Sequence, residues 1–493
     1  MAKNILIYAD GTGQAGGLRP DQRLSNIYKM YRATRIGPDS RIDPADQIAF
    51  YDPGLGTDSD SENMRTKFAA ALRKFASSAT GAGIGRNIVD CYEAVLKQYE
   101  PGDRIYLFGF SRGAYTARCV AGVIRLCGVP ERLIDGRPVP RTGTALRAIA
   151  EEAVHKVYEH GSGRSRTKHE AERQELALRF RRKYGSDHAG RANAAPYFIG
   201  VFDTVAALGA VGVRRILMLA GLAVAVALAV TVVAQLAVIV TDAQFRDTVL
   251  WIGAAAAAVF AYKVVRARLK VITRYPSRWQ LRLHWTGWRF GNYDTNLDAR
   301  VPFARHALAI DETRSDFARV AWGQPSEGTS PPGLGEVERF RQMWFAGNHS
   351  DVGGSYPEDE SRLSDIALGW MVEEASALPH PVLFERDKLN VFPSASGVQH
   401  CEVEGMLDAY PGWWPRRLRR TWKAKPRYEA SGAPYHPTVV ERMALPSILK
   451  CGRREPYLPA ALSKDPALAT RYQDREAALM TGPITTRGDS VGP

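Results

Sequence analysis

Ser111 stands between two glycines in Gly109-Phe110-Ser111-Arg112-Gly113. The apolar run Arg104-Ile105-Tyr106-Leu107-Phe108 precedes it and Ala114-Tyr115-Thr116-Ala117-Arg118 follows, so the pattern reads as strand, sharp turn, helix. Such a turn lifts a hydroxyl to the top of a sheet, and small flanking residues let backbone and substrate come close. The chemistry this arrangement serves is nucleophilic attack by a serine. The hydroxyl needs a base to take its proton, and the base needs an acid that fixes its tautomer and stabilises the imidazolium. Asp203 ends the apolar run Tyr197-Phe198-Ile199-Gly200-Val201-Phe202. His349 follows Gln342-Met343-Trp344-Phe345-Ala346-Gly347 and lies in the glycine-rich stretch Asn348-His349-Ser350-Asp351-Val352-Gly353-Gly354. Acid and base thus come in the order serine, aspartate, histidine, each at a strand end. His306 is the rival base, in a segment up to Glu312 that reads as helical, and Asp203 taken alone also fits the cap of a helix starting at Thr204.

The oxyanion of an acyl-transfer intermediate needs two backbone donors. The Arg112 amide, directly after the nucleophile, is one candidate. Gly11 or Thr12, in the turn Asp10-Gly11-Thr12-Gly13, is the candidate for the other, because a glycine turn at a strand end can aim amides inward. Metal-ligand spacing is absent. Asp10, Asp52 and Asp351 are read as turn or capping residues rather than as cation ligands, and no metal or other cofactor is expected.

Positioning these groups requires a layered scaffold. Residues 3–9 and Gln47 to Tyr51 read as buried strands ending in glycine turns, and Ile84 to Gln98 has helical periodicity with Ile84, Ile88, Cys91, Val95 and Leu96 on one face. Strand and helix alternate, which predicts an α/β fold with a mostly parallel sheet covered by helices on both faces. The segment from about Thr144 to Lys183 reads as a solvated helical excursion without chemistry, interrupted at 161–166.

Ile216 to Val240 is twenty-five residues long and uncharged, with only Thr231 and Gln235 polar. As a helix it would be roughly 37 Å long, enough for a hydrocarbon core of about 30 Å. A second apolar run, Val249 to Tyr262, continues through Val265, so residues 216–265 are expected to form a transmembrane helical hairpin. Arg214, Arg215, Lys263, Arg266, Arg268, Lys270 and Arg274 flank it, which places both ends in the cytoplasm by the positive-inside rule. Trp279, Trp285 and Trp288 fit either an interfacial aromatic belt or core. Trp413-Trp414-Pro415-Arg416-Arg417-Leu418-Arg419-Arg420 fits either anionic headgroups or a solvated face.

Composition narrows the class. With 45% hydrophobic and 24% charged residues the 493-residue chain is globular in character, and its net charge of +14 comes without any nucleic-acid-binding signature. Five scattered cysteines, Cys91, Cys119, Cys127, Cys401 and Cys451, form no C-x-x-C pair and predict reduced thiols in a cytosolic compartment. No signal peptide is expected before the first strand.

Six ordered motifs carry a resemblance: Tyr8-Ala9-Asp10-Gly11-Thr12-Gly13, Tyr51-Asp52-Pro53-Gly54, the Ser111 pentapeptide with Ala114-Tyr115, Phe202-Asp203-Thr204-Val205, Arg305-His306 through Glu312, and Trp344 through Gly354. Together they resemble the α/β-hydrolase-like family of unknown function that is shared by bacterial and fungal proteins and includes the type VI secretion phospholipase effectors. The resemblance covers nearly the whole chain outside the apolar hairpin, including His436-Pro437-Thr438-Val439. It implies a serine hydrolase that cleaves phospholipid acyl esters with a Ser-Asp-His triad, carried here by Ser111, Asp203 and either His349 or His306. The hairpin departs from secreted effectors and argues for a resident of the bacterial inner membrane with two spans and a cytoplasmic catalytic domain. Membrane lipid is the expected substrate, nucleic acid is not a partner, and no protein partner is specified. The alternatives are a catalytically silent membrane-tethered interaction protein and an esterase for soluble substrates. The expected organisation is 1–212 and 271–480 as two parts of one hydrolase domain, 213–270 as the hairpin, and 481–493 as a disordered tail.

Overall fold

A computed structural model describes residues 2–11, 14, 23–54, 82–164, 166–205, 212–241, 244–286, 297–315, 317, 319–323, 337–403, 415, 423–427, 432–463, 465–466 and 468–481. Six parallel strands form the central sheet: β1 Asn4–Ala9, β2 Gln47–Asp52, β3 Arg104–Phe110, β6 Pro196–Phe202, β9 Phe303–Ala309 and β10 Phe340–Phe345. Between β3 and β6 lies a two-residue ribbon, β4 Asp187–His188 and β5 Arg191–Ala192; β7 Leu269–Thr273 and β8 Leu281–Trp285 form a separate antiparallel hairpin. The sheet order is β2-β1-β3-β6-β9-β10. The chain leaves β1 towards β2 on one side and returns to β3 on the other, so the carboxyl ends of β1 and β3 flank the switch point where open α/β sheets bind ligands.

Burial on both faces follows from the residue pattern. Ile5, Ile7 and Ala9 point into one core with helices α2 Ala82–Gln98 and α3 Arg112–Cys127. Leu6 and Tyr8 point into the other, against α1 Asn26–Thr34. The expected α/β architecture is present, with one correction. The segment from Arg305 to Ala309 is a strand, not a helix. All seven residues of β9 are buried, so its sequence shows neither alternation nor an amphipathic stripe, and helix and strand cannot be told apart by period.

The excursion after α3 comprises α4 Thr144–Glu151, a π-helical turn Glu152–Tyr158, a 3₁₀ turn Arg166–His169 and α5 Glu170–Tyr184. After β6 come two long helices, α6 Gly212–Thr241 and α7 Phe245–Arg268, which run directly into β7. Among the described residues only α7 is long and apolar enough to cross a membrane, while the apolar stretch Ala223–Ile239 within α6 is shorter. The expectation of two spans is therefore not supported. Trp279 and Trp285 are exposed, which excludes them from the core, and Trp288 lies outside the described residues.

The carboxyl-terminal part adds α8 His349–Gly353, α9 Arg362–Ser376 on the Leu6 face, α10 Pro437–Ala444, the ribbon β11 Ile448–Lys450 with β12 Arg453–Glu455, and α11 Ala469–Thr481. Cys401 and Cys451 are paired as a disulfide with Cα atoms 5.3 Å apart, whereas Cys91, Cys119 and Cys127 are free and buried. This corrects the expectation of reduced thiols throughout; fifty residues separate the partners, and nothing in their local sequence marks them. The 413–420 tryptophan–arginine run, apart from Pro415, and the tail after Thr481 fall outside the described residues.

Candidate active site

Ser111 occupies the junction between β3 and α3 with φ 58° and ψ −121°, a conformation that costs a non-glycine residue about 1–3 kcal/mol. The surroundings hold it there. Its N–H donates to the Phe202 carbonyl at 3.1 Å. The flanking glycines are steric requirements: a Cβ on Gly109 would lie 2.5 Å from the Gly113 carbonyl oxygen, and one on Gly113 would lie 2.1 Å from the Ala9 carbonyl oxygen. Gly11 closes the same corner, since its Cβ would lie 3.4 Å from that of Ser111. Arg112 opens α3, so its N–H is one of the orphan donors at a helix start. Burial lowers the Arg112 guanidinium to about 10, which leaves it charged at neutral pH.

Asp203, fully buried at the end of β6, does not cap a helix. Its Oδ2 lies 2.6 Å from His349 Nδ1. Its Oδ1 accepts from Arg427 Nη1 at 2.6 Å and from the Ala309 N–H at 3.2 Å. Burial pushes this carboxyl up, but the Arg427 charge and the His349 bond overcome it and hold Asp203 well below the ordinary carboxylate range. With Nδ1 facing an ionised carboxylate, His349 carries its proton there and leaves Nε2 as the acceptor. His349 is 4% exposed, and its Nε2 is buried without a hydrogen-bond partner among the described residues.

Local chemistry explains how the histidine is held. His349 is the first residue of α8, behind Asn348, whose side chain accepts from the Ser350 and Asp351 amides while Asp351 accepts the Asn348 N–H. Asp351 therefore has the capping role expected of it. The Phe110 ring lies 4.7 Å from the His349 ring, and Gly353 leaves it room, because a Cβ there would lie 1.9 Å from the same phenyl ring. The residue before the serine thus packs on His349. Behind Asp351, His400 bridges Asp351 at 2.7 Å and Glu360 at 2.9 Å and stacks on Tyr356 at 3.5 Å. Burial opposes its charge, yet the two carboxylates raise it above the ordinary histidine value.

His306 is not placed to act as a base. It is fully buried on β9, with Nδ1 at 3.2 Å from Gln342 Oε1 and Nε2 at 3.3 Å from the Thr204 N–H. Burial, assisted by Arg118, lowers it to about 3, so it is a neutral structural imidazole beneath the acid.

Gly11 is corrected too: its N–H donates to Asp10 Oδ1 at 2.7 Å and is not free to meet an oxyanion, while Thr12 lies outside the described residues. Asp10 also takes the Ser25 hydroxyl at 2.5 Å and the Tyr51 hydroxyl at 2.7 Å, and burial raises it to about 6. Asp52 takes Asn87 at 2.6 Å, and burial with Asp90 nearby raises it to about 8. Their oxygens serve protein donors, in keeping with a turn-stabilising role.

Arg427 and His400 carried no sequence signal. Arg427 lies 224 residues from the aspartate it neutralises, and no motif surrounds it.

Residues 3–374 match the family described as T6SS, phospholipase effector Tle1-like, catalytic domain. The uncharacterized protein YEL023C of Saccharomyces cerevisiae is 29% identical over 212 residues, which is 42% of this chain and 27% of the yeast protein. A crystal structure of an uncharacterized protein from Pseudomonas aeruginosa aligns over 80% of this chain and 49% of its own, at 16% identity and a TM-score of 0.34. The Tle1 effector bound to the VgrG spike from the type 6 secretion system aligns over 73% and 52%, at 16% identity and a TM-score of 0.27. The chain spans about a quarter of its yeast relative and about half of each solved chain, and likenesses at these TM-scores bear on nothing further. The match over residues 3–374 places the chain in the Tle1-like phospholipase effector family, within its catalytic domain.

Proposed function

We propose that the protein is a serine hydrolase that cleaves carboxylic esters of membrane phospholipids through Ser111, His349 and Asp203. The observation that carries this reading is the buried, unpartnered Nε2 of His349, held by Asp203 through Nδ1 and packed against the residue before the elbow serine. An acceptor nitrogen oriented by a carboxylate, on a ring packed against the residue before a strained serine, is what a general base in such a site requires. In the proposed reaction Ser111 Oγ attacks the ester carbonyl while its proton passes to His349 Nε2. Asp203 stabilises the resulting imidazolium, and the Arg112 amide receives the oxyanion. The proton then goes to the leaving alcohol, and water attacks the acyl-serine with the same histidine as base.

The helix pair supports a membrane setting. Val224, Leu228, Val232, Leu236 and Ile239 of α6 and Leu250, Trp251, Val259 and Phe260 of α7 are all exposed, and α7 buries no residue. Apolar surface on that scale is stable when lipid covers it.

The test is hydrolysis of phospholipid vesicles by wild type and Ser111→Ala, together with fluorophosphonate labelling. Wild-type turnover and labelling, both lost in a folded Ser111→Ala protein, are expected. Unchanged hydrolysis by the variant, or no labelling of folded wild type, would sink the proposal. A short-chain ester cleaved faster than vesicles would instead identify an esterase for soluble substrates.

A further inference from the structure

Four side chains outside the hydrolase site converge on one point. His160 lies two residues after the π-helical turn, His169 ends the 3₁₀ turn, Glu172 is in the first turn of α5, and His284 is in β8. One potential ligand atom from each lies within 4.8 Å of all the others. Glu172 Oε2 is 3.0 Å from His160 Nε2, 3.1 Å from His169 Nδ1 and 3.8 Å from His284 Nδ1. Tetrahedral ligands about 2.0–2.2 Å from a zinc ion lie roughly 3.3–3.6 Å apart, so these separations bracket the edge of one coordination tetrahedron.

Hydrogen bonding to one carboxylate accounts for only part of the cluster. It satisfies His160 and His169, but His284 Nδ1 is buried and has no hydrogen-bond partner among the described residues. The His284 ring nevertheless stacks on His169 with centroids 3.9 Å apart and stands edge-on to His160 at 4.4 Å. Three imidazoles thus crowd around one carboxylate, and Nδ1 of the third is left out of its hydrogen bonds.

We propose that His160, His169, Glu172 and His284 form a closed structural site for one divalent transition-metal ion, zinc by ligand type. Three imidazoles and a carboxylate suit zinc, and four protein ligands leave no open position for catalysis. The His284 Nε2 now accepts the Gly161 N–H at 3.1 Å. Ligation through Nδ1 puts the ring proton on Nε2, so the Gly161 amide must rotate away. Gly161 has φ 82°, and a Cβ there would lie 2.8 Å from the His169 Cβ, so glycine is the residue that fits and yields at this point.

The ion would act as a clamp. β7 and β8 follow α7 directly and are joined to the excursion by exposed polar contacts: Arg179 to the Thr273 and Arg274 carbonyls, Lys270 to the His155 carbonyl and Arg282 to Glu172. Such contacts are individually weak. A metal bound by His284 on the insertion and by three ligands on the excursion would fix the base of the helix pair to the hydrolase domain.

The experiment uses the full chain without a histidine tag, stripped with chelator, incubated with zinc and desalted. Elemental analysis is expected to find about one zinc per chain, and cobalt in its place is expected to give the visible absorption of a tetrahedral complex. His284→Gln and His160→Gln should weaken zinc binding by more than the roughly 10–100-fold typical of outer-shell changes, whereas His380→Gln on the surface should not. Competition against a chromophoric chelator on wild type alone decides the matter if either variant fails to fold. Wild type that retains no zinc, or ligand variants with wild-type affinity, would overturn the assignment.

Discussion

Asp203 carries its charge at a depth where burial alone would neutralise it, and Arg427 is the group that prevents this. The sign of the pH dependence follows. A carboxyl held low in the folded state contributes stability above its unfolded pKa of about 4 and loses it only as pH falls through the lower folded value. Arg427→Gln removes the cation and leaves burial to raise the carboxyl, so the aspartate becomes protonated nearer neutrality and can no longer stabilise an imidazolium. The expected result is an acidic limb shifted upward in the pH–rate profile, with hydrolysis lost disproportionately at pH 5 relative to pH 8. An unshifted profile would show that Arg427 only packs. The two histidines divide in the same way. His349→Gln should reduce kcat/KM roughly ten-thousand-fold with little change in stability. His306→Gln, which disturbs a buried neutral ring bonded to Thr204 and Gln342, should cost about 1–3 kcal/mol in denaturant unfolding and leave kcat close to wild type.

Among the elements, the β3–α3 elbow sets the tolerance of the site. Gly113→Ala drives a methyl onto the Ala9 carbonyl at the end of β1, and an overlap with backbone cannot relax by a rotamer change. It should cost about 3 kcal/mol or more, visible as a lowered urea midpoint. Gly102, with φ 99° and open space around it, serves as the comparison, since Ala there bears only the backbone strain of about 1–2 kcal/mol. Equal losses at both positions would remove the steric argument. The same elements show what could be read beforehand. The elbow was legible because its constraints are local: strand, glycine, serine and glycine lie within a few residues. β9 was not, since full burial erases periodicity, and an imidazole placed in a supposed helix became a plausible base. Gly11 was misjudged because Asp10, its immediate neighbour, claims its amide, a choice that only coordinates reveal. The four residues of the His160 cluster span 124 positions, from 160 to 284, in segments that looked merely polar, so their convergence had no local mark.

At the scale of the molecule, the two long helices leave the hydrolase domain between β6 and β9 and carry an exposed apolar surface. If lipid covers that surface, the full chain should stay in the membrane pellet after alkaline carbonate extraction. Appearance in the supernatant would show that the pair is covered by protein instead. The sequence pattern located this pair correctly but overstated its reach, because an uncharged run says how apolar a helix is and not which partner it meets. The insertion also divides the site. Ser111 and Asp203 precede it, whereas His349 and Arg427 come 146 and 224 residues after Asp203. A ribosome adding about 5–20 residues per second needs roughly 10–45 s to pass from the acid to the arginine that sustains it. Until His349 emerges, 146 residues after Asp203, the polypeptide holds Ser111 without that histidine, and the apolar helices are already synthesised. On the proposed function, the apolar helices would be available to lipid before the site that acts on lipid is complete, so the order of synthesis itself would serve as a safeguard.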